Sequence, residues 1–211
     1  MAVTLNASTS SGLVQTADTS GTVEIQSNGT TKLTVSSSGV NIGQMNGGAI
    51  TSGTAVTAAT GSPTSIDFTS IPSWVKRVTI MCAGLSYNAT ATPMIQLGTS
   101  GGIDSTSNYV GSSVSLVTGT TTESALNTVG FNIGPSSVAT IVFNLTITLS
   151  LLNASTNQWM CAVSGGRSDS ACGYAGGGNK TLTGTLDRVR ITTLVGTATF
   201  DAGTINIQYE G

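Results

Sequence analysis

The chain has 211 residues, only 8% of them charged, with seven Lys+Arg against nine Asp+Glu and no histidine. Without histidine there is no Ser-His-Asp triad, no Cys-His pair and no His-ligated metal site. Seven scattered bases make no patch that could neutralise a run of phosphates, which argues against nucleic-acid binding. Thr, Ser and Gly together supply 91 residues, and aromatics only 5%. A low net charge of -2 with 38% hydrophobic residues argues against disorder. No apolar run approaches the ~20 residues of a membrane span, so no membrane insertion is expected. The first residues, Met1-Ala2-Val3-Thr4-Leu5-Asn6, lack a basic region and an apolar stretch, so no signal peptide is expected.

Residues 1–50 have their own texture. Ala17-Asp18-Thr19-Ser20-Gly21 is a turn cluster, and Thr22-Val23-Glu24-Ile25-Gln26 then alternates apolar and polar. Asn28-Gly29 follows; both residues tolerate positive φ, which makes the pair a strong hairpin signal. Thr31-Lys32-Leu33-Thr34-Val35 alternates again, Ser36-Ser37-Ser38-Gly39 turns the chain, and Val40-Asn41-Ile42 makes a third short strand. Alternation puts Val23 and Ile25, Leu33 and Val35, and Val40 and Ile42 on one face each.

Six aliphatic side chains cannot stabilise that meander alone. Each contributes roughly 2 kcal/mol when buried, against 1–2 kcal/mol of backbone entropy for every ordered residue. The meander therefore needs a partner surface. Sister chains wrapped about a shared axis are one source; the chain's own downstream domain is the other. Residues 43–64, rich in Gly and Ser, read as a linker or hinge.

From residue 65 the chain reads as strands, at 65–68, 75–85, 94–97, 109–117, 129–133, 139–149, 158–163, 181–189, 190–193 and 204–209. They are rich in Thr, Val and Ile and separated by turn signals such as Thr99-Ser100-Gly101-Gly102, Ile133-Gly134-Pro135 and Asp201-Ala202-Gly203. In the clearest, Ile141, Phe143, Leu145, Ile147 and Leu149 share one face. No stretch sustains a 3.6-residue period. The expected fold is all-β: a short N-terminal meander, then an antiparallel, jelly-roll-like β-sandwich. The domain expectation is 1–50, a linker at 51–64, and the sandwich at 65–211.

Three cysteines, Cys82, Cys161 and Cys172, are an odd set without CxxC spacing, so neither a disulfide framework nor a zinc site is expected. Cys82 and Cys161 sit in strand-like runs as small buried hydrophobes; a Cys161–Cys172 bridge is left open. Gly173 to Thr181 contains a phosphate-loop-like run, but Asn179 separates Gly178 from Lys180 and a strand follows instead of a helix. Ser164 to Lys180 reads as the longest small-polar loop. It carries Arg167, Asp169, Tyr174 and Asn179, a set suited to holding a sugar by stacking and hydrogen bonds, or else a mere connector. The nine carboxylates are scattered and nothing marks a catalytic pair; no cofactor, metal or catalytic residue is expected. Trp74, beside Lys76 and Arg77, reads as a core residue at a strand start.

The opening Met1-Ala2-Val3-Thr4-Leu5-Asn6-Ala7-Ser8-Thr9, with Ala17–Gly21 and Ile25-Gln26-Ser27-Asn28-Gly29-Thr30-Thr31, resembles the N-terminal segment of bacteriophage virion and tail-fibre proteins. Residues 66–77, Ile66-Asp67-Phe68-Thr69-Ser70-Ile71-Pro72-Ser73-Trp74-Val75-Lys76-Arg77, and the stretches Asp187–Thr193 and Phe200–Ile207 resemble the distal domain of the same proteins. The resemblance implies a non-enzymatic homotrimeric tail fibre in the virion, assembled in the host cytoplasm. Residues 1–50 would then dock to other virion proteins. The C-terminal domain would bind a host surface glycan, with Tyr87, Tyr109 and Tyr174 as candidate exposed aromatics. A second reading is a head-decoration or cement protein that stiffens the capsid. A depolymerising tailspike is a weaker third, since such enzymes need longer chains and paired acids.

Overall fold

The structure is a computed structural model that describes residues 22–36, 39–42, 50–117, 123–134, 138–139 and 141–211. The expected turn at 17–21, residues 37–38 of the second turn, the hinge at 43–49 and Pro135 lie outside them. The described residues are all-β, in antiparallel sheets with a sandwich-like arrangement. The chain divides into two compact units, residues 1–46 and 47–211.

The first unit is a three-stranded antiparallel sheet of β1 (Val23–Ser27), β2 (Thr30–Ser36) and β3 (Gly39–Ile42) in the order β1-β2-β3. Asn28 (φ 52°) and Gly29 (φ 72°) form its first turn, both left-handed as a tight hairpin requires. A register shift between Ile25 and Gln26 leaves Lys32 as the extra residue.

The second unit holds β4 (Thr51–Ser52), β5 (Val56–Thr57), β6 (Ser65–Phe68), β7 (Arg77–Tyr87), β8 (Pro93–Thr99), β9 (Gly102–Ile103) and β10 (Val110–Val117). It continues with β11 (Glu123–Leu126), β12 (Phe131–Asn132), β13 (Phe143–Asn153), β14 (Gln158–Arg167), β15 (Cys172–Thr181), β16 (Arg188–Thr193) and β17 (Phe200–Glu210). The large sheet runs β11-β10-β15-β14-β13-β7-β17-β4, with β5 also on β17. The small sheet runs β12-β8-β16-β6, with β9 on β8.

Alternation builds the core. Ile141, Phe143, Leu145, Ile147 and Leu149 are all buried, as their shared face predicts. Val78, Ile80 and Cys82 of β7 join them, and the small sheet contributes Ile66, Ile95, Leu97, Val189 and Ile191. Along β7 the buried positions then skip to Leu85 and Tyr87. Gly84, with φ 65°, is a bulge that resets the phase: Leu145 faces Cys82, but Phe143 faces Leu85. Trp74 packs half-buried against this core.

Three sequence expectations need correction. The stretch 51–64 is not a free linker: β4 and β5 pair with β17, and Ala58 is fully buried, its N–H bonded to the Gly203 carbonyl. The expected loop at 164–180 is instead a hairpin of two ten-residue strands, β14 and β15. Its glycines serve close approach: a Cβ on Gly178 would lie 2.3 Å from the Val110 carbonyl oxygen of β10. The expected strand at 181–189 breaks instead at 182–187, where Leu182 and Leu186 turn into the core and the Ile71 N–H bonds to the Asp187 carbonyl. All three cysteines are free, and burial pushes the Cys82 and Cys161 thiols up to about 12.

Candidate functional site

The first unit presents an apolar row, and none of its described residues belongs to the buried core. Val23 faces Val35 and Ile25 faces Leu33 across the β1–β2 ladder; β3 places Val40 opposite Val35 and Ile42 opposite Leu33. Directly paired residues share a face of a sheet. Within the unit Val23, Ile25 and Val35 stay exposed, Ile25 by 51%, while Leu33 is half-buried. Glu24, Gln26 and Thr31 form a polar cluster, Thr31 donating to Glu24 at 3.0 Å.

The residues expected to bind sugar are not brought together as a loop site. Arg167 and Asp169 form an ion pair at the β14–β15 turn, with the Arg167 Nε 3.1 Å from Asp169 Oδ1. That hydrogen bond holds the Asp169 carboxyl at about 2, against the opposing effect of burial. The Val142 N–H also donates to Asp169 at 3.0 Å, so the pair pins the start of β13 to this turn. Tyr174 belongs to the core. It is buried beside Phe143, ring centroids 5.2 Å apart, and burial raises its phenol pKa. Asn179 lies half-buried in β15, 3.5 Å from Gln158. Tyr87 and Tyr109 are buried as well, so none of the three tyrosines is an exposed platform. Asp104 and Asp169 each pair with a different base instead of forming a catalytic dyad.

Two clusters escaped the sequence reading. Lys180, fully buried at the inner face of β15, reaches Asp104 Oδ2 at 2.8 Å, Thr106 Oγ1 at 3.3 Å and Asn108 Oδ1, 4.4 Å from the Tyr109 ring centroid. Three acceptors match its three donors, so the buried charge is satisfied. Burial acts to raise the Asp104 pKa, but hydrogen bonds from Lys180 and Thr106, with the Lys180 charge, bring it below the usual carboxylate value. The cluster fastens the 104–109 segment to the end of β15. The residue spacing Asp104-Ser105-Thr106-Ser107-Asn108 was visible, but not the lysine that closes it.

The other is the outward face of the large sheet. Its register gives the cross-strand rows Ser112–Gly177–Ala162–Thr148–Thr79–Gln208 and Val114–Ala175–Ser164–Thr146–Met81–Asn206. Neither row carries a charge. Where the β7 and β17 registers shift, the face sinks into a groove of about 620 Å³ lined by Met81, Asn144, Thr146, Ser164, Thr204 and Asn206. Asn144 Oδ1 accepts the Gly84 N–H at 3.0 Å and Asn206 Oδ1 accepts the Ile207 N–H at 2.8 Å, so the backbone orients both carboxamides. Neutral hydroxyls and amides over a methionine suit an uncharged hydroxylated ligand, and the Cys82 thiol that also lines the groove is kept protonated by burial. Among the described residues no group of three or more His, Cys, Asp or Glu stands ready to hold a metal. Compared with family models and with curated proteins, the sequence matches none.

Proposed function

We propose that the chain is a non-enzymatic structural subunit of a phage virion, a homotrimeric fibre protein whose first unit joins the copies and docks to other virion proteins. The observation that carries this reading is the exposed Val23, Ile25 and Val35 row on a three-stranded sheet too small to bury it. Three copies of such a row can form a shared core that one copy lacks. The sandwich then serves as the host-facing part, and the neutral groove of Asn144, Thr146, Ser164 and Asn206 takes an uncharged surface glycan. On this reading receptor contact falls on a sheet face, since Tyr87, Tyr109 and Tyr174 are buried in the core.

Light scattering on the full chain tests the assembly half, with three chain masses expected. An array of neutral and charged glycans tests the receptor half. Binding of a neutral glycan, lost on Ser164→Arg, is expected; no binding, or binding indifferent to Ser164→Arg, overturns the groove assignment.

A further inference from the structure

The charges of the second unit are unevenly placed. Asp67 and Arg190 form a bidentate pair, both contacts 2.7 Å, on the small sheet, and Asp187 with Arg188 lies next to it. Arg167–Asp169 closes a turn and Lys180–Asp104 is internal. On the large sheet the outward rows meet charge toward β7 and β17, where the row Val110–Asn179–Met160–Ser150 ends on the Arg77–Glu210 pair and exposed Asp201 of β17 accepts a hydrogen bond from Ser86 of β7; along β10, β15 and β14 these rows carry none.

The bare face also has an apolar end. Val110 (61% exposed), Leu116 (56%), Leu126 (78%) and Met160 (40%) stand on β10, β11 and β14. The pairings Val110–Asn179–Met160 and Leu126–Ser112–Gly177 put them in the outward rows, and Leu116 opposite Gly173 belongs to the same face. Between them lie Ala162, Ala175 and Gly177, which leave a low strip flanked by larger side chains. Large apolar side chains around small ones, with charge excluded, describe the centre of a protein–protein contact better than a solvated face.

We infer that this end of the large sheet, β10–β15–β14, packs against a sister copy of the same chain. The inference rests on the homotrimer reading. Copies already joined through their first units meet at high effective concentration, so a modest face suffices. A face without charge is also self-compatible: no like-charge pair opposes a second copy. The groove near Asn144 and Asn206 reaches from β17 to Ser164 of β14, so it adjoins the contact at β14, while Met160, Val110, Leu116 and Leu126 lie outside its lining.

The test is cysteine cross-linking of the full chain. Met160→Cys, and separately Ala162→Cys, are treated with a bis-maleimide spanning about 10 Å, the spacing of face-packed sheets. Thr69→Cys, exposed just after β6, is the control on the other sheet. Native Cys82 and Cys161 are buried, and background from half-buried Cys172 is measured on the unmodified chain. The expected result is covalent dimers, the largest species one introduced thiol per chain allows, at least tenfold above that background for both face variants, with none from Thr69→Cys. Trimers by light scattering with no more cross-linking from Met160→Cys and Ala162→Cys than from Thr69→Cys would overturn the sheet contact and leave the first-unit assembly standing. Monomers throughout would overturn both.

Discussion

Tyr174 shows how a single side chain changes meaning with its direction. In a Ser/Gly-rich stretch it resembles a ligand platform; in the structure it fills the core beside Phe143, under Gly134, where a Cβ would lie 2.2 Å from its ring. Tyr174→Ala should therefore destabilise the fold by about 3–5 kcal/mol, as other aromatic truncations in cores do. Urea unfolding measures it, and a variant of unchanged stability would contradict the burial. Lys180 makes a second case. Lys180→Met removes the cation and leaves Asp104, Thr106 and Asn108 without it, a loss of about 3–5 kcal/mol by the same assay. The opposite outcome, a gain in stability, would mean that the methionine packs well enough to outweigh the lost pair.

Asp169 sets an acid limit. Its carboxyl is held at about 2 against an ordinary 3.8, chiefly by the hydrogen bond from Arg167. A folded value below the unfolded one means stability that is present above about pH 4 and lost as pH falls toward 2. Asp104 is shifted in the same direction and adds to the effect. Melting temperature should drop across that window, and Asp169→Asn should flatten the drop while lowering stability at pH 7. Equal acid sensitivity in the variant would remove Asp169 from the account.

At the scale of elements, strands that bury one face were legible. β13 announces itself because Phe143, Leu145, Ile147 and Leu149 alternate with polar residues, and the Asn28-Gly29 turn because both residues tolerate positive φ. The β14–β15 hairpin was not legible beyond Val163. Glycine normally marks a turn, but here Gly176 to Gly178 allow β15 to lie close between β10 and β14, a reason that exists only once three strands are side by side. β4 and β5 were hidden for a similar reason: two-residue strands have no period of their own and exist only because β17 offers its edge. The Lys180 cluster joins Lys180 to Asp104 and the groove joins Met81 to Asn206, residues far apart in the chain, a convergence that no local pattern encodes. For the first unit, alternation marked the apolar face directly, and this gives a test. Ile25→Asp should turn the assembled chain into monomers while the second unit keeps its own melting transition, since its core lies within residues 47–211. Persistence of the assembly would move the contact elsewhere.

At the scale of the molecule, the low charge seen in the composition has a spatial counterpart. Each base from Arg167 onward is paired with a carboxylate, and these pairs lie at a turn, in the interior or on the small sheet, away from the large sheet's outward rows. A solitary soluble domain gains little from a bare face, whereas a subunit of an assembly gains a contact without a desolvation cost for charges. The exposed Val23–Ile25–Val35 row makes the same demand at the other unit. The central claim is thus that the chain is completed by its copies. The solution mass of the purified full chain, by light scattering across a dilution series, tests this most directly. The account predicts three chain masses down to the lowest concentration measured; a stable single chain mass throughout would contradict it.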